Sequence, residues 1–319
     1  MKNFPLIEIV SAGVIIATSP CLQATDLPKA KITVLVKDPD SSPVDEASIG
    51  IGGTLQPQSD SVAKGLTSND GRFTAEVRSN GELGITARKA GYYDTLGPDF
   101  SFRNATDAID RALTTQQWDP WNPTVSVTLK KILKPIAMYA RQFRKPLPKT
   151  NEKIGLDLFE GDYLKPYGVG TTADLVLRTE VSDRGRNDYD YKLIVAFSNQ
   201  MDGILPVTVD RYRSGSALRS PYIAPETGFL PQWVVSRSRA AAAGEKSNYD
   251  PEAHAFVFRV RTVVDAAGKI VSANYGKIYG DFMNFSYYLN PTPNDRNIEF
   301  DPKRNLFTKL KTEEQVTAP

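Results

Sequence analysis

At 319 residues the chain has room for about two domains. A formal charge of +2, with 24% charged and 40% hydrophobic residues, is an ordinary globular balance without the basic excess that nucleic acid selects. A single cysteine and a single histidine exclude an internal disulfide and disfavour a zinc site, which takes several such ligands.

The chain begins with Lys2 and an apolar run from Ile9 to Ala17, followed by Thr18-Ser19-Pro20-Cys21 and Ala24. This pattern predicts a secretory signal peptide over residues 1–24, cleaved near Ala24. The run is shorter than the roughly 20 apolar residues that a bilayer span needs. Glu8 and Leu22 are unusual in such a leader, which leaves an ordinary buried first element as the alternative. Thr18-Ser19-Pro20 before Cys21 makes a poor lipoprotein signal. Cleavage would remove the only cysteine, and the expected location is periplasmic or extracellular.

Residues 29–133 read as a first β domain. Ile32, Val34 and Val36 alternate with polar neighbours, as in a half-buried strand. A turn through Asp38-Pro39-Asp40 leads to Val44 and a short apolar run, Ala47 to Ile51. Asn69-Asp70-Gly71 is a turn, because glycine supplies the positive φ required there. Phe73, Ala75 and Val77 then alternate, Asn80-Gly81 predicts a tight hairpin, and Ile85 and Ala87 alternate after it. Val125, Val127 and Leu129 form the closing strand.

The opening strand with Asp38, Pro43-Val44 with Ala47, Thr67 with Asp70-Gly71-Arg72-Phe73, Ala90-Gly91-Tyr92, and Val125 to Leu129 resemble the carboxypeptidase regulatory-like domain. That resemblance covers about a third of the chain and implies a small transthyretin-like (Ig-like) β-sandwich. It also implies an accessory or adhesive module without catalytic residues of its own. The chain departs from the family in the long segment between Tyr93 and Thr124. There Asn104 is placed to cap a short helix, Ala105 to Leu113, and Trp118 and Trp121 follow among prolines. The two tryptophans read as a stacking platform for a sugar or an aromatic partner, or, more simply, as a lid that seals the sandwich. With Tyr92 and Tyr93 they are the candidate binding residues.

Residues 134–150 read as a linker, because Pro135, Pro146 and Pro148 interrupt ladder pairing. Residues 151–308 read as a second, jelly-roll-like antiparallel sandwich of about eight strands. Its clearest strands are Tyr189 to Phe197, Phe256 to Thr262, Ile270 to Tyr279 and Phe282 to Leu289. Arg239 to Glu245 is the best helix candidate there, and the tail 309–319 is expected to fray. The strings Gly161-Asp162-Tyr163, Tyr275-Gly276-Lys277-Ile278-Tyr279-Gly280 and Leu289-Asn290-Pro291-Thr292-Pro293-Asn294 resemble uncharacterised exported bacterial proteins that pair the same two domains. That likeness implies architecture and no activity.

The chemistry is thin. His254, the lone histidine, sits at a strand edge, where packing is a simpler role than catalysis. No phosphate-binding glycine motif is present. Calcium is the one conceivable cofactor, at Asp38, Asp40 and Asp45 or at Asp183, Asp188 and Asp190, although aspartates in turns usually bond their own backbone. A pair of glycosidase carboxylates cannot be picked from 37 acidic residues. The composite expectation is an all-β, two-sandwich, secreted and non-enzymatic binding or structural protein, with a protein or glycan as partner. The alternatives are a carbohydrate-binding module or unassigned glycoside hydrolase, and a component of a cell-surface assembly that accepts a partner strand.

Overall fold

A computed structural model describes residues 27–53, 60–185, 187–209, 214–240, 244–248 and 254–319. The expected leader lies outside the described residues, as does the His254 side chain. No helix among the described residues is long and apolar enough to cross a membrane. The fold is all-β, with one short α-helix and one 3-10 turn among the described residues.

The first sandwich is built from β1 (Lys29–Lys37), β2 (Ser48–Gly53), β3 (Val62–Leu66), β4 (Arg72–Arg78), β5 (Glu82–Arg88), β6 (Thr95–Leu96), β7 (Phe100–Ser101), helix α1 (Ala108–Thr115) and β8 (Thr124–Thr128). One sheet has the order β4-β1-β8; the other runs β6-β5-β2-β3, with β7 paired to β5. The alternating residues of β1 (Ile32, Val34, Val36) face Ile49 and Ile51 of β2 and Leu83 and Ile85 of β5, all buried. Burying each such side chain contributes about 1.5–3 kcal/mol, which is what holds two three-to-four-stranded sheets face to face.

The hairpin expected at Asn80-Gly81 is a corner instead. β4 pairs with β1 and β5 with β2, so the chain changes sheets there. Gly81 stands at φ +97, and a Cβ on it would lie 2.7 Å from Cη2 of Trp118. The indole therefore fills the inside of the corner, and Val77 and Leu83 point into one core from opposite sheets. The helix begins at Ala108, later than expected, and Asn104 donates to the Ser101 carbonyl rather than capping it.

The rest of the chain supplies β9 (Ile136–Phe143), β10 (Ile154–Asp157), β11 (Asp162–Tyr163), β12 (Leu175–Gly185), β13 (Asp188–Ala196), β14 (Gly203–Thr208), β15 (Gly215–Ser216), β16 (Gln232–Ala240), β17 (Gly244–Ser247), β18 (His254–Val264), β19 (Ile270–Gly280), β20 (Phe285–Leu289) and β21 (Phe300–Asn305), all but β15 belonging to the second sandwich. Its sheets have the orders β11-β10-β12-β13-β16-β17 and β14-β18-β19-β20-β9-β21. Pairing is antiparallel among the described residues except for β1 with β8 and β9 with β21. Leu177, Leu193, Phe256, Phe258, Phe285 and Tyr287 meet between the two sheets. The other face of the β18–β19–β20 sheet is buried as well, its Val257, Tyr275 and Tyr288 packing with Ala224, Ile298 and Val316 from outside the sheet. Pro206 in edge strand β14 and Pro302 in edge strand β21 blunt the two ends of that sheet.

Three expectations are corrected here. The segment read as a linker contains β9, an interior strand between β20 and β21; its prolines bracket the strand rather than interrupt it. Of the helix expected from Arg239 to Glu245, residues 239–240 end β16 and 244–245 begin β17, while 241–243 lie outside the described residues. The tail docks: Val316 is buried, Tyr288 Oη donates to the Ala318 carbonyl, and Glu314 pairs with Arg141.

The sandwiches share backbone hydrogen bonds. β15, from the second half of the chain, pairs antiparallel with β6 of the first, with Gly215 opposite Leu96 and Ser216 opposite Thr95.

Candidate functional site

The candidate binding residues do not form one surface. Trp118 is 2% exposed, packs on Phe102, and donates Nε1–H to the Ser79 carbonyl at 2.8 Å. Its ring belongs to the core of the first sandwich, and neither face is open to a ligand. Trp121 is 38% exposed, and the Lys31 ammonium lies 5.7 Å from its ring centroid. Tyr92 bridges to Lys131 and lines a shallow hollow with Glu46, Arg88, Lys89 and Asp94. Tyr93 is buried at the junction of the sandwiches, where its hydroxyl donates to Glu299 Oε1 at 2.7 Å. Burial first, then the bond to Glu299, pushes that phenol far above its usual range.

Five of the six aspartates considered for calcium hold other partners. Asp188 and Asp190 both hold the guanidinium of Arg184, and Asp183 accepts the Gly185 N–H. Asp45 pairs with Lys89, and Asp38 caps the Asp40 and Ser42 N–H groups of its own turn. Among the described residues no group of three or more His, Cys, Asp or Glu is placed to hold a metal ion.

Two carboxylates do meet, under a cation. Arg261 donates to Asp174 at 2.8 and 3.1 Å and to Asp157 at 3.0 Å, and its guanidinium lies 4.1 Å from the Phe159 ring centroid. Asp157 also accepts N–H groups from Phe159, Glu160, Thr171 and Thr172. Burial pushes the Asp157 carboxyl up, but these donors and Arg261 outweigh it and hold it below the ordinary range. Asp174 has fewer donors, and burial raises it. Asp202, raised by burial, accepts the backbone N–H groups of Arg261 and Thr262 and holds the kink that aims the guanidinium. The cluster ties β10, β12 and β18 together and leaves no carboxylate turned to a reacting atom.

An open groove lies elsewhere, at the far end of the second sandwich. β12 and β13 run for 11 and 9 residues, buried on their inner face at one end and open at the other. Their register sets side chains in rows across the inner face. Thr179, Leu193 and Val235 form one row, and all three are buried. The next row is Val181, Tyr191, Arg237 and Ser247, and the one after is Asp183, Tyr189, Arg239 and Glu245. These two outer rows lie progressively further from the core, successive same-face positions along a strand being about 6.8 Å apart, and there Val181 and Asp183 are exposed and Tyr189 and Tyr191 half-buried. A hollow of about 380 Å³ opens over Val181, Asp183, Tyr189, Tyr191, Arg237 and Met283.

The groove is braced at one end. The turn after β19 supplies Asp281, which accepts the N–H groups of Met283 and Asn284 and, at 2.7 Å, Arg237 Nη2. Tyr191 Oη contacts Met283 Sδ at 2.9 Å, and Tyr189 Oη contacts Glu245 Oε2 at 3.1 Å. Burial, and then the neighbouring Asp281, raise the Tyr191 phenol, which stays protonated and able to donate. One row further in, the buried hydroxyl of Thr179 has no hydrogen-bond partner among the described residues. Tyr189 and Tyr191 read in sequence as part of one apolar strand face; in the structure they are half-buried where Leu193 and Val195 are buried.

No family model and no curated protein matches the chain. Solved structures similar to it include a Bacteroides uniformis protein provisionally named as carbohydrate binding, at 9% identity and TM-score 0.22, over 84% of this chain and 99% of that one. A DUF3823 family protein from Parabacteroides merdae aligns at 9% identity and TM-score 0.20, over 86% and 100% of the two chains. The major pilin subunit of Bacillus cereus aligns at 11% identity and TM-score 0.23, over 83% and 68%. Superpositions this loose assign no ligand and no role to this chain.

Proposed function

We propose that this chain is an exported, non-catalytic binding protein whose second sandwich receives a neutral saccharide on the uncovered inner face of β12, β13 and β16. The carrying observation is the pair Tyr189 and Tyr191, side by side on a concave face and flanked by hydrogen-bonding groups on both neighbouring strands. A sugar ring offers an apolar C–H face for stacking and a rim of hydroxyls, which Asp183, Arg237 and the Tyr191 hydroxyl can meet. Arg237 and Arg239 are outnumbered by the carboxylates of Asp183, Glu245 and Asp281, which favours an uncharged ligand over an acidic one. The commitment of Asp157, Asp174 and Asp202 to internal hydrogen bonds supports binding without bond cleavage. The first sandwich, whose sequence resembles carboxypeptidase regulatory-like modules, then serves as an accessory domain.

The test is a panel of neutral and acidic oligosaccharides titrated calorimetrically against the purified protein. Neutral sugars are expected to bind, and Tyr191→Ala is expected to weaken binding about tenfold, the equivalent of about 1.4 kcal/mol for one lost stacking contact. Tyr92→Ala serves as the control and leaves affinity unchanged. Absence of binding across the panel, or wild-type affinity in both Tyr191→Ala and Tyr189→Ala, would refute the reading.

A further inference from the structure

The groove does not account for the most unusual ionisable group in the molecule. Lys277 of β19 is fully buried, at 0% exposure. Its Nζ donates to Ser220 Oγ at 3.1 Å and lies 4.8 Å from the ring centroid of Tyr288 and 5.6 Å from that of Tyr279. An ammonium carries three donors and cannot satisfy them on one hydroxyl and two ring faces, so the neutral amine suits this setting better.

Ser220 lies in the middle of a strap, residues 214–224, that joins the two sandwiches. On the first sandwich the strap supplies β15 beside β6. The Ala217 N–H donates to the Asp94 carbonyl at 2.8 Å, Lys130 Nζ donates to the Leu218 carbonyl at 3.0 Å, and Tyr222 Oη donates to the Lys131 carbonyl at 2.7 Å. On the second sandwich the strap is held by Lys277, by Tyr279 Oη, which accepts the Ser220 N–H at 3.0 Å, and by backbone bonds at Tyr222 and Ala224.

We propose that the strap is a pH-sensitive clasp between the sandwiches, closed over a neutral Lys277 and loosened when that amine takes up a proton. The charged and titratable groups around it are few. Glu299, before β21, favours the ammonium; Lys130, after β8, opposes it. Tyr279 and Tyr288 are both pushed up by burial and stay neutral. Arg219 stacks on the outer side of Tyr279, with its guanidinium carbon 5.1 Å from the ring centroid. Burial dominates this set and pushes Lys277 down to about 7.

The sign follows from linkage. With the strap lifted, Lys277 returns to its ordinary value of 10.5, so between that pH and about 7 opening takes up a proton. The clasp is therefore tightest in alkali and loosens as pH falls, until both states are protonated below about 7. Opening uncovers the edge of β6 on the first sandwich.

The experiment is hydrogen exchange of the intact chain from pH 6 to 9.5, corrected for the intrinsic base-catalysed rate, following the peptide that spans residues 214–224. Its protection is expected to rise roughly fiftyfold from pH 7 to pH 9 in the wild type and to level off below 7. Lys277→Met is expected to remove that slope. Ser220→Ala, which leaves the amine buried, is expected to keep the slope at lower overall protection. A flat wild-type profile, or an equal slope in Lys277→Met, would overturn the proposal. So would equal movement of peptides from β1 and β12, because protonation would then be coupled to unfolding of the whole chain.

Discussion

Replacing Arg261 with methionine tests whether the buried acidic cluster is scaffold. The guanidinium makes three hydrogen bonds to Asp174 and Asp157, whose side chains are 0% and 1% exposed. Arg261→Met would leave Asp174 with only the Leu158 N–H among its described donors, facing the charge of Asp157. Removing one partner of a buried ion pair costs about 3–5 kcal/mol. Because the Arg261 side chain is 32% exposed, solvent recovers part of that, and a loss of about 3 kcal/mol at pH 7.5 is expected. The cost should depend on pH. Burial already raises the Asp174 carboxyl, and losing Arg261 raises it further. A carboxyl raised on folding binds its proton more tightly in the folded state, so stability falls as pH rises through the interval between the unfolded and folded values. Urea unfolding followed by tryptophan fluorescence should thus show a smaller loss at pH 5 than at pH 7.5. A loss under about 1 kcal/mol, or the same loss at both pH values, would mean that the cluster does not bind β10, β12 and β18 together as described. Arg261→Lys should fall between wild type and Arg261→Met, because an ammonium cannot bridge both carboxylates in the planar, two-pronged fashion of a guanidinium.

Trp118→Ala should destabilise the first sandwich by about 3–5 kcal/mol, since it empties the corner at Gly81 and leaves the Ser79 carbonyl without its donor. Trp121→Ala should stay within about 0.5 kcal/mol of wild type, and equal effects in thermal melts would contradict the placement of the two indoles. Gly65→Ala places a Cβ 2.2 Å from the Phe73 ring and should cost about 1–3 kcal/mol; Phe73→Leu in the same chain should recover part of it, and additive losses would deny the contact.

The strands were legible because a half-buried strand writes its period into the sequence. Ile32, Val34 and Val36, or Phe256, Phe258 and Val260, alternate in just the way the cores require. Connections were less legible, because turn chemistry is local and sheet membership is not. Asn80-Gly81 turns the chain equally well into a hairpin or across a sandwich; the choice was made by Trp118, 37 residues beyond Gly81, whose ring occupies the inside of the corner. β9 was hidden for a related reason. Prolines at 135 and 146 mark its limits, but its partners β20 and β21 lie more than a hundred residues downstream, and neither writes its pairing into the residues of β9.

The groove was hidden by a different kind of fact. Tyr191 and Leu193 occupy equivalent positions of one strand face, and nothing local distinguishes the residue that the facing sheet covers from the one it leaves bare. The distinction depends on what lies opposite each position, and the opposite sheet is assembled from distant segments. What composition did carry was the partner chemistry across the rows: Asp183 and Arg237 are costly on a face that is to be buried, and they fall on the two strands that flank the tyrosines. A charged residue at the end of an apolar alternation thus marks where a core stops. In β12 the sequence Leu177, Thr179, Val181, Asp183 makes that transition within one face, with Val181 in the row of Tyr191 and Asp183 in the row of Tyr189.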